Sequence, residues 1–315
     1  MKIFPPPSPV FTVKVRVPAT SANMGAGFDA VGIALKHYNE VELSAWNSDL
    51  MPPVTVQIDG EGAAVLPLDG TNLVCRMVRQ VMDRCGRKFK AIRVKLTNRI
   101  PLARGLGSSS AAIVGGLVAA NVGCGTPFSE SEILEMASAQ EGHSDNVAPV
   151  LLGGVCVCAG VEGKTRYASW KSARLFTGLR AVLCVPYFQL PTQEARGVLP
   201  DRVSREDAVF NSSRVGLFFS AFHLRRFELL GDAMDDRIHQ PYRKKLVPGL
   251  GNVLKAARFA GAWGVALSGS GPSVVALSPV KSARSVAAAM IEAFREKGVA
   301  AIPMDLEIDV RGAQV

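Results

Sequence analysis

The sequence predicts an α+β protein of two domains with a cleft between them, and three observations carry that prediction. A chain of 315 residues has room for two domains of about 150 residues each. Its second half reduces to the order β, α, β, β, α, β, the split arrangement of a ferredoxin-like sheet. Three loops rich in Gly and Ser each lie between regular elements, where loops that converge on one polar ligand belong. The expected division places residues 1–165 in an amino-terminal domain, with residues 1–10 as a flexible lead-in, and residues 166–315 in a carboxy-terminal one.

In chain order, residues 1–9 hold four prolines and read as a lead-in rather than core. Residues 11–17 alternate Val13, Val15 and Val17 with Lys14 and Arg16, the period-two pattern of a half-buried strand. That strand feeds PATSANMGAGFDAVGIAL, residues 18–35, read as a loop. In it Asn23 and Asp29 flank Gly25 and Gly27, so short polar side chains stand beside exposed backbone and suit a small polar ligand; an ordinary turn-rich connection is the simpler reading. Strands at residues 38–45 and 54–58, a helix at about 72–85 and an alternating strand at 91–97 follow.

Residues 101–121, PLARGLGSSSAAIVGGLVAAN, form a Gly/Ser loop running into a helix of almost wholly apolar and small residues, hence a buried one. Gly105 and Gly107 let the backbone turn tightly and approach a ligand. The first amides of a helix have no internal partners and point outward with the positive end of its dipole, where an anion is stabilised. Ser108, Ser109 and Ser110 add hydroxyls for phosphate oxygens or for a metal bound with them. No Lys follows Gly107, so this is not the GxxxxGK[ST] loop. A core helix capped by Ser accounts for the same residues.

Pro127 and the capping box Ser129/Glu132 start a helix at about 131–140, which carries Glu135. The polar loop EGHSDNVAP, residues 141–149, holds His143, one of four histidines in the chain, and a strand is expected at 151–158. In the second half the pattern gives a strand at 180–185, helices between 205 and 231, a helix at 249–259, and strands at 264–267 and 273–277 joined by SGSGPS. A helix at 281–297 and a last strand at 299–308 complete it.

With 48% hydrophobic and 20% charged residues the chain can bury a sizeable core. No apolar run reaches the roughly 18 residues of a membrane span, and residues 1–9 lack the plan of a signal peptide, so a cytoplasmic location and no membrane partner are expected. The six cysteines are scattered without a CxxC pair and read as reduced core thiols. The net charge of +9 is spread along the chain with no nucleic-acid-binding signature, which favours a basic surface that attracts small anions over a nucleic-acid partner.

PLARGLGSSSAA resembles the phosphate-binding motif of the small-molecule kinases that include galactokinase, homoserine kinase, mevalonate kinase and phosphomevalonate kinase, and VALSGSGPSVVAL resembles their third, carboxy-terminal motif. Within that superfamily VRVPATSANMGAGFDAVGIAL, EGHSDNVAP and PTQEARGVLP are similar to the homoserine kinases. The resemblance runs from about residue 13 to 303. It implies an amino-terminal ATP-binding domain with a left-handed crossover like that of a ribosomal protein domain, followed by a ferredoxin-like domain. It also implies transfer of the γ-phosphoryl group of ATP to the side-chain hydroxyl of L-homoserine, a step towards threonine, with magnesium (Mg2+) as the metal and a homodimer as the assembly.

Carried over by motif, Pro101, Leu102, Ala103, Arg104, Gly105, Leu106, Gly107, Ser108, Ser109 and Ser110 surround the triphosphate, and Asn72 lies near the adenine. Ser109 and Glu135 ligate the metal, and Asn23, Asp29, His143, Asn146, Arg196 and Arg243 meet the amino acid, Arg243 on the shorter match QPYRKKLVP. The sequence departs from the pattern at Met24 and Ala26, where Leu and Pro are common, and at Ser110, where Gly or Ala is common. The residue types suit the substrate: Asp29 an ammonium, Arg196 and Arg243 a carboxylate. Phosphoryl transfer depends mostly on alignment and charge neutralisation, so His143 and Asn146 are expected to orient the hydroxyl without a dedicated Asp base. The alternatives are a sister kinase of the mevalonate or shikimate type, and a catalytically silent relative that binds ligand.

Overall fold

A computed structural model describes residues 7–315; the first six residues of the expected lead-in lie outside the described residues. Two sheets organise the chain. The first has six strands in the order β3-β4-β2-β5-β6, with β1 paired to β2. Its strands are β1 (Phe11–Ala22), β2 (Val31–Trp46), β3 (Val54–Gly60), β4 (Ala91–Asn98), β5 (Val155–Val161) and β6 (Lys164–Trp170). Helices α1 (Leu73–Arg84), α2 (Ser108–Gly123), α3 (Glu130–Glu141) and α4 (Val147–Leu152) accompany it. Helix α2 is apolar all round, and among its buried residues Ile113, Val114 and Leu117 join one core with Val15, Val41 and Leu43 of the sheet.

The second half comprises β7 (Leu179–Pro186), α5 (Thr192–Gly197), α6 (Arg205–His223), α7 (Leu230–Ala233), α8 (Gln240–Arg243), α9 (Leu250–Phe259), β8 (Gly264–Leu267), β9 (Val274–Pro279), α10 (Ala283–Arg295) and β10 (Ala301–Leu306). Its four strands are all antiparallel in the order β10-β7-β9-β8, the ferredoxin-like arrangement expected from sequence. Alternate residues of this sheet serve different cores. Val182, Cys184, Val265 and Leu267 pack with Val286, Met290 and Phe294, whereas Ala181, Leu183, Val185 and Ala266 join the core that reaches the first sheet. Burial on both faces explains why these strands read as continuous apolar runs.

The structure departs from the sequence reading where both faces of a strand are buried. β1 runs on to Ala22 and β2 begins at Val31, so the expected loop of residues 18–35 shrinks to residues 23–30. Thr20 and Ser21 are fully buried and paired with Ala34 and Ile33, which erases the polar alternation that marks a strand. A register shift between Pro18 and Ala19 accommodates the proline. The strand expected at 151–158 divides into the end of α4, a Gly153-Gly154 turn with both φ values positive, and β5; a short apolar run does not distinguish helix from strand. Strand β6 and helix α5 lie outside the expected elements, β6 as an exposed edge strand and α5 as a helix of 6 residues. Strand β6 crosses residue 165, and after β10 the chain returns to the first sheet through bridges Leu35–Ile308 and Arg16–Gln314. The capping box forms as expected, with Ser129 bonded to the Glu132 amide and Glu132 to the Ser129 amide. Among the described residues no helix is long and apolar enough to cross a membrane.

Candidate active site

The three Gly/Ser loops meet. The Thr20 amide donates to Leu106 O at 3.1 Å and the Gly269 amide to Ala22 O at 3.1 Å. The Ser268 hydroxyl donates to Gly105 O at 2.6 Å and lies 2.8 Å from Ser21 Oγ. Two glycines make this approach possible. A Cβ on Gly105, at φ +73°, would stand 2.1 Å from Ser268 O, and one on Gly107, at φ +70°, would stand 1.9 Å from Thr20 Oγ1. Gly107 is the N-cap residue of α2, and no side chain caps that helix. The Ser-capped alternative is therefore excluded: the first-turn amides of a 16-residue helix stay open to a cavity of ≈ 610 Å³.

Residues 101–109 line this cavity, as do Asn23, Asp29, Asn72, His143, Asn146, Arg196 and Arg243. The sequence-expected residues thus gather around one space, with two exceptions. Ser110 is buried behind it, and Glu135 is not among its walls. The structure does not bring Glu135 to the serines: Glu141 accepts from Ser109 Oγ at 2.7 Å and from Ser110 Oγ at 3.0 Å. Six residues along α3 correspond to a rotation of about 240° and a rise of about 9 Å, so the two carboxylates cannot serve the same point.

Asn72 is the N-cap of α1, where its side chain accepts from the Val74 amide at 3.0 Å and donates to Pro67 O at 2.8 Å. Asn23 is occupied in holding two loops together: Nδ2 donates to Gly269 O at 2.9 Å, and Oδ1 accepts from the Asp29 amide at 2.9 Å. That bond supports an unusual turn, in which Asn23, Met24 and Asp29 have φ values of 67°, 46° and 56°. Arg196 grips Asp29 through two bonds, NH1 to Oδ2 at 3.0 Å and NH2 to Oδ1 at 2.7 Å. Arg243 is buried, and burial, with Arg196 beside it, pulls its pKa down to about 10.

His143 pairs through Nδ1 with Asp145 Oδ1. Burial works against its charged form, but the Asp145 carboxylate, with Glu141 and Asp29 beyond it, outweighs this and raises its pKa above the usual value. Asn146 accepts from Thr20 Oγ1 at 2.7 Å and donates to Asp145 Oδ1 at 3.3 Å. The side chains of Asp29, His143 and Asp145 bring ligand-type atoms within 4.8 Å of one another, yet Asp29 is paired with Arg196 and Asp145 with His143. Glu141, Asp145, Thr20, Phe28 and His239 were missed by the residue-by-residue reading. Glu141 and Asp145 both stand in EGHSDN, the loop singled out for its polarity, and the other three are legible only once the loops are packed.

Comparison with known proteins agrees with this geometry. Residues 72–154 match the family model of the GHMP kinases N terminal domain and residues 218–298 that of the GHMP kinases C terminal. The chain is 44% identical over 301 residues to the homoserine kinase of Carboxydothermus hydrogenoformans, covering 96% of each chain. It is 44% identical over 303 residues to that of Desulfitobacterium hafniense, covering 96% of this chain and 99% of the relative. The structure is similar to the homoserine kinase of Cytophaga hutchinsonii, with a TM-score of 0.87, 30% identity and 96% of each chain covered. A mevalonate kinase shares the fold alone, with a TM-score of 0.69 and 14% identity over 94% of this chain and 99% of that one. Matched in both halves by these models and across nearly its whole length by these relatives, the chain belongs to the homoserine kinases of the GHMP kinase family.

Proposed function

We propose that this protein transfers the γ-phosphoryl group of ATP to the side-chain hydroxyl of L-homoserine, forming O-phospho-L-homoserine. The observation that carries the proposal is the pairing of opposite charges, Asp29 with Arg196 and with Arg243 nearby, on the wall of the same cavity into which the uncapped start of α2 opens. One part suits a zwitterion and the other a polyphosphate. A substrate without an ammonium has no use for Asp29, which disfavours an alcohol of the mevalonate type. Identity of 44% to homoserine kinases over 96% of the chain supports the same substrate.

In this reading residues 105–110 hold the triphosphate through backbone amides, with residues 101–104 alongside and Asn72 beside the base. The donor set at Glu141, Ser109 and Ser110 is all oxygen, one carboxylate with two hydroxyls, which fits magnesium. Bound there, the metal would neutralise charge on the phosphate oxygens. Asn146 and His143, tied to one another through Asp145, orient the accepting hydroxyl. The Asp145 carboxylate is committed to these two partners, so it positions rather than removes a proton. The same resemblance supports a cytoplasmic homodimer; its ATP-binding and ferredoxin-like parts divide after β6 and before β7, a few residues beyond the expected boundary at 165 and 166.

A coupled ADP-release assay on a panel of hydroxy amino acids and alcohols, with and without Mg2+, tests the proposal. Release with L-homoserine that needs the metal is expected, and none with homoserine would sink it. For the absence of a base, His143→Ala and Asn146→Ala are expected to lower turnover while leaving the shape of the pH–rate profile. A titrating limb that vanishes with His143 would make it the base.

A further inference from the structure

Beneath Arg243 lies a histidine that no part of the proposed reaction uses. His239 is the N-cap residue of α8 and Arg243 is its last residue, so the two are four apart and share a helix face. His239 is fully buried. Asp236, itself without exposed side chain, fixes the start of this turn by accepting from the amides of Ile238, His239 and Gln240 at 2.9, 3.0 and 2.6 Å.

The partners of the imidazole define its state. Nε2 lies 2.9 Å from Gly25 O, which can only accept, so Nε2 carries the hydrogen. Nδ1 lies 3.2 Å from NH1 of Arg243, which can only donate, so Nδ1 is the bare acceptor. These partners admit the neutral Nε2–H tautomer and no other. The remaining bonds of Arg243 then fall into place. Nε donates to Ala195 O at 3.1 Å and NH1 also to Gly269 O at 3.1 Å, so only NH2 is left over, on a residue that lines the cavity. One aromatic ring completes the set. Phe28 stacks on His239 at 5.3 Å and 26°, and it carries the guanidinium carbons of Arg243 at 5.3 Å and Arg196 at 5.7 Å.

We infer that His239 is a positioning residue, a neutral imidazole that holds NH1 of Arg243 and, with Phe28, aims the NH2 edge at the substrate carboxylate while tying the Gly25 turn to α8. The inference rests on the proposal that Arg243 reads the carboxylate of homoserine. Its residues are bound to the specificity of the site rather than to the phosphoryl transfer itself.

The experiment compares L-homoserine with 3-amino-1-propanol, the same chain without the carboxylate, in ADP release by wild type, His239→Gln and His239→Asn. Asn places an amide oxygen where Nδ1 stands and keeps the acceptor for Arg243, whereas Gln reaches only the Nε2 position. His239→Gln is expected to raise the KM for homoserine about tenfold, the scale of one hydrogen bond to a charged group. Its KM for ATP and its kcat/KM for the amino alcohol should stay within about twofold of wild type, and His239→Asn should recover most of the homoserine KM. Equal losses on both substrates, or no recovery with Asn, would overturn the inference while leaving the homoserine reading standing. A wild type that turns over neither substrate would overturn that reading and this inference with it. Long-range 1H–15N correlation spectra supply a readout apart from turnover: the imidazole that disappears in His239→Asn should show the Nε2–H tautomer, and an Nδ1–H or doubly protonated ring at neutral pH would refute the assignment.

Discussion

Arg196 holds Asp29 by two parallel hydrogen bonds, of 2.7 and 3.0 Å, although the chemistry of an amino-acid substrate assigns the two side chains opposite partners. In the structure they satisfy one another. A zwitterion carries the same two charges, so it can enter by exchange, its ammonium taking Asp29 and its carboxylate taking Arg196 beside Arg243. The side chains are 38% and 35% exposed, and a pair this open contributes only about 0–1 kcal/mol, so opening it costs little. A deeper, fully desolvated pair would resist the exchange.

Asp29→Asn and Arg196→Met are therefore expected to raise the KM for homoserine by about tenfold to a hundredfold, the loss of one charge-assisted hydrogen bond, with the KM for ATP unchanged. Urea unfolding should show losses of no more than about 1 kcal/mol for either variant. A loss several times larger, with homoserine binding intact, would make the pair a structural clamp.

The proposed metal ligand is the second test, because the structure sets Glu141 rather than the expected Glu135 beside Ser109 and Ser110. Glu141→Gln should lower kcat by about a hundredfold or more and move the Mg2+ midpoint upward, whereas Glu135→Gln should behave as wild type. A titration of activity against Mg2+ for both variants decides it; the opposite ranking would restore Glu135.

This disagreement shows what sequence could and could not carry. The ferredoxin-like half was legible because its order of strands and helices is a local property, and the α2 loop because two further Gly/Ser loops in the same chain decide between an anion cradle and a capped core helix. Glu135 and Glu141 are both polar residues on one helix, and choosing between them needs the angle at which α3 meets α2. The bond from Asn23 to Gly269 joins residues 246 apart in the chain, and no spacing rule spans that. Thr20 and Ser21 were hidden for the converse reason: fully buried, they look like loop residues in the half of β1 that has no solvent face.

Convergence of the loops gives a third prediction. Gly107→Ala places a methyl group where Thr20 Oγ1 stands and forces a side chain onto φ +70°, so it displaces Thr20 from Asn146 as well as straining the turn. The strain alone is of order 1–3 kcal/mol. Gly86→Ala, at φ +68° but with nothing within 4 Å of the added carbon, is the control for that strain. Gly86→Ala should show the loss from strain alone in urea and Gly107→Ala a loss at least as large, and only Gly107→Ala should lose activity. Loss of activity in both would show that it follows stability rather than loop geometry.

The last prediction concerns pH and follows from the burial of His239. Burial lowers its pKa below the usual 6.5, Arg243 pushes the same way, and Asp236, the Gly25 carbonyl and Asp29 oppose without prevailing. In the unfolded chain the imidazole gains a proton near 6.5; in the folded protein it gains one only at a lower pH. Between these values the unfolded state binds more protons, so stability is present above pH 6.5 and is lost as pH falls, by at most about 1.4 kcal/mol per pH unit. His239→Asn removes the titration while carboxylates elsewhere titrate alike in both proteins. The difference in unfolding free energy between wild type and His239→Asn should therefore shrink steadily from pH 7.5 to 5.5 in buffered urea series. A difference that grew on acidification would mean that the folded protein holds the imidazole charged, with Asp236 rather than Arg243 as its governing partner.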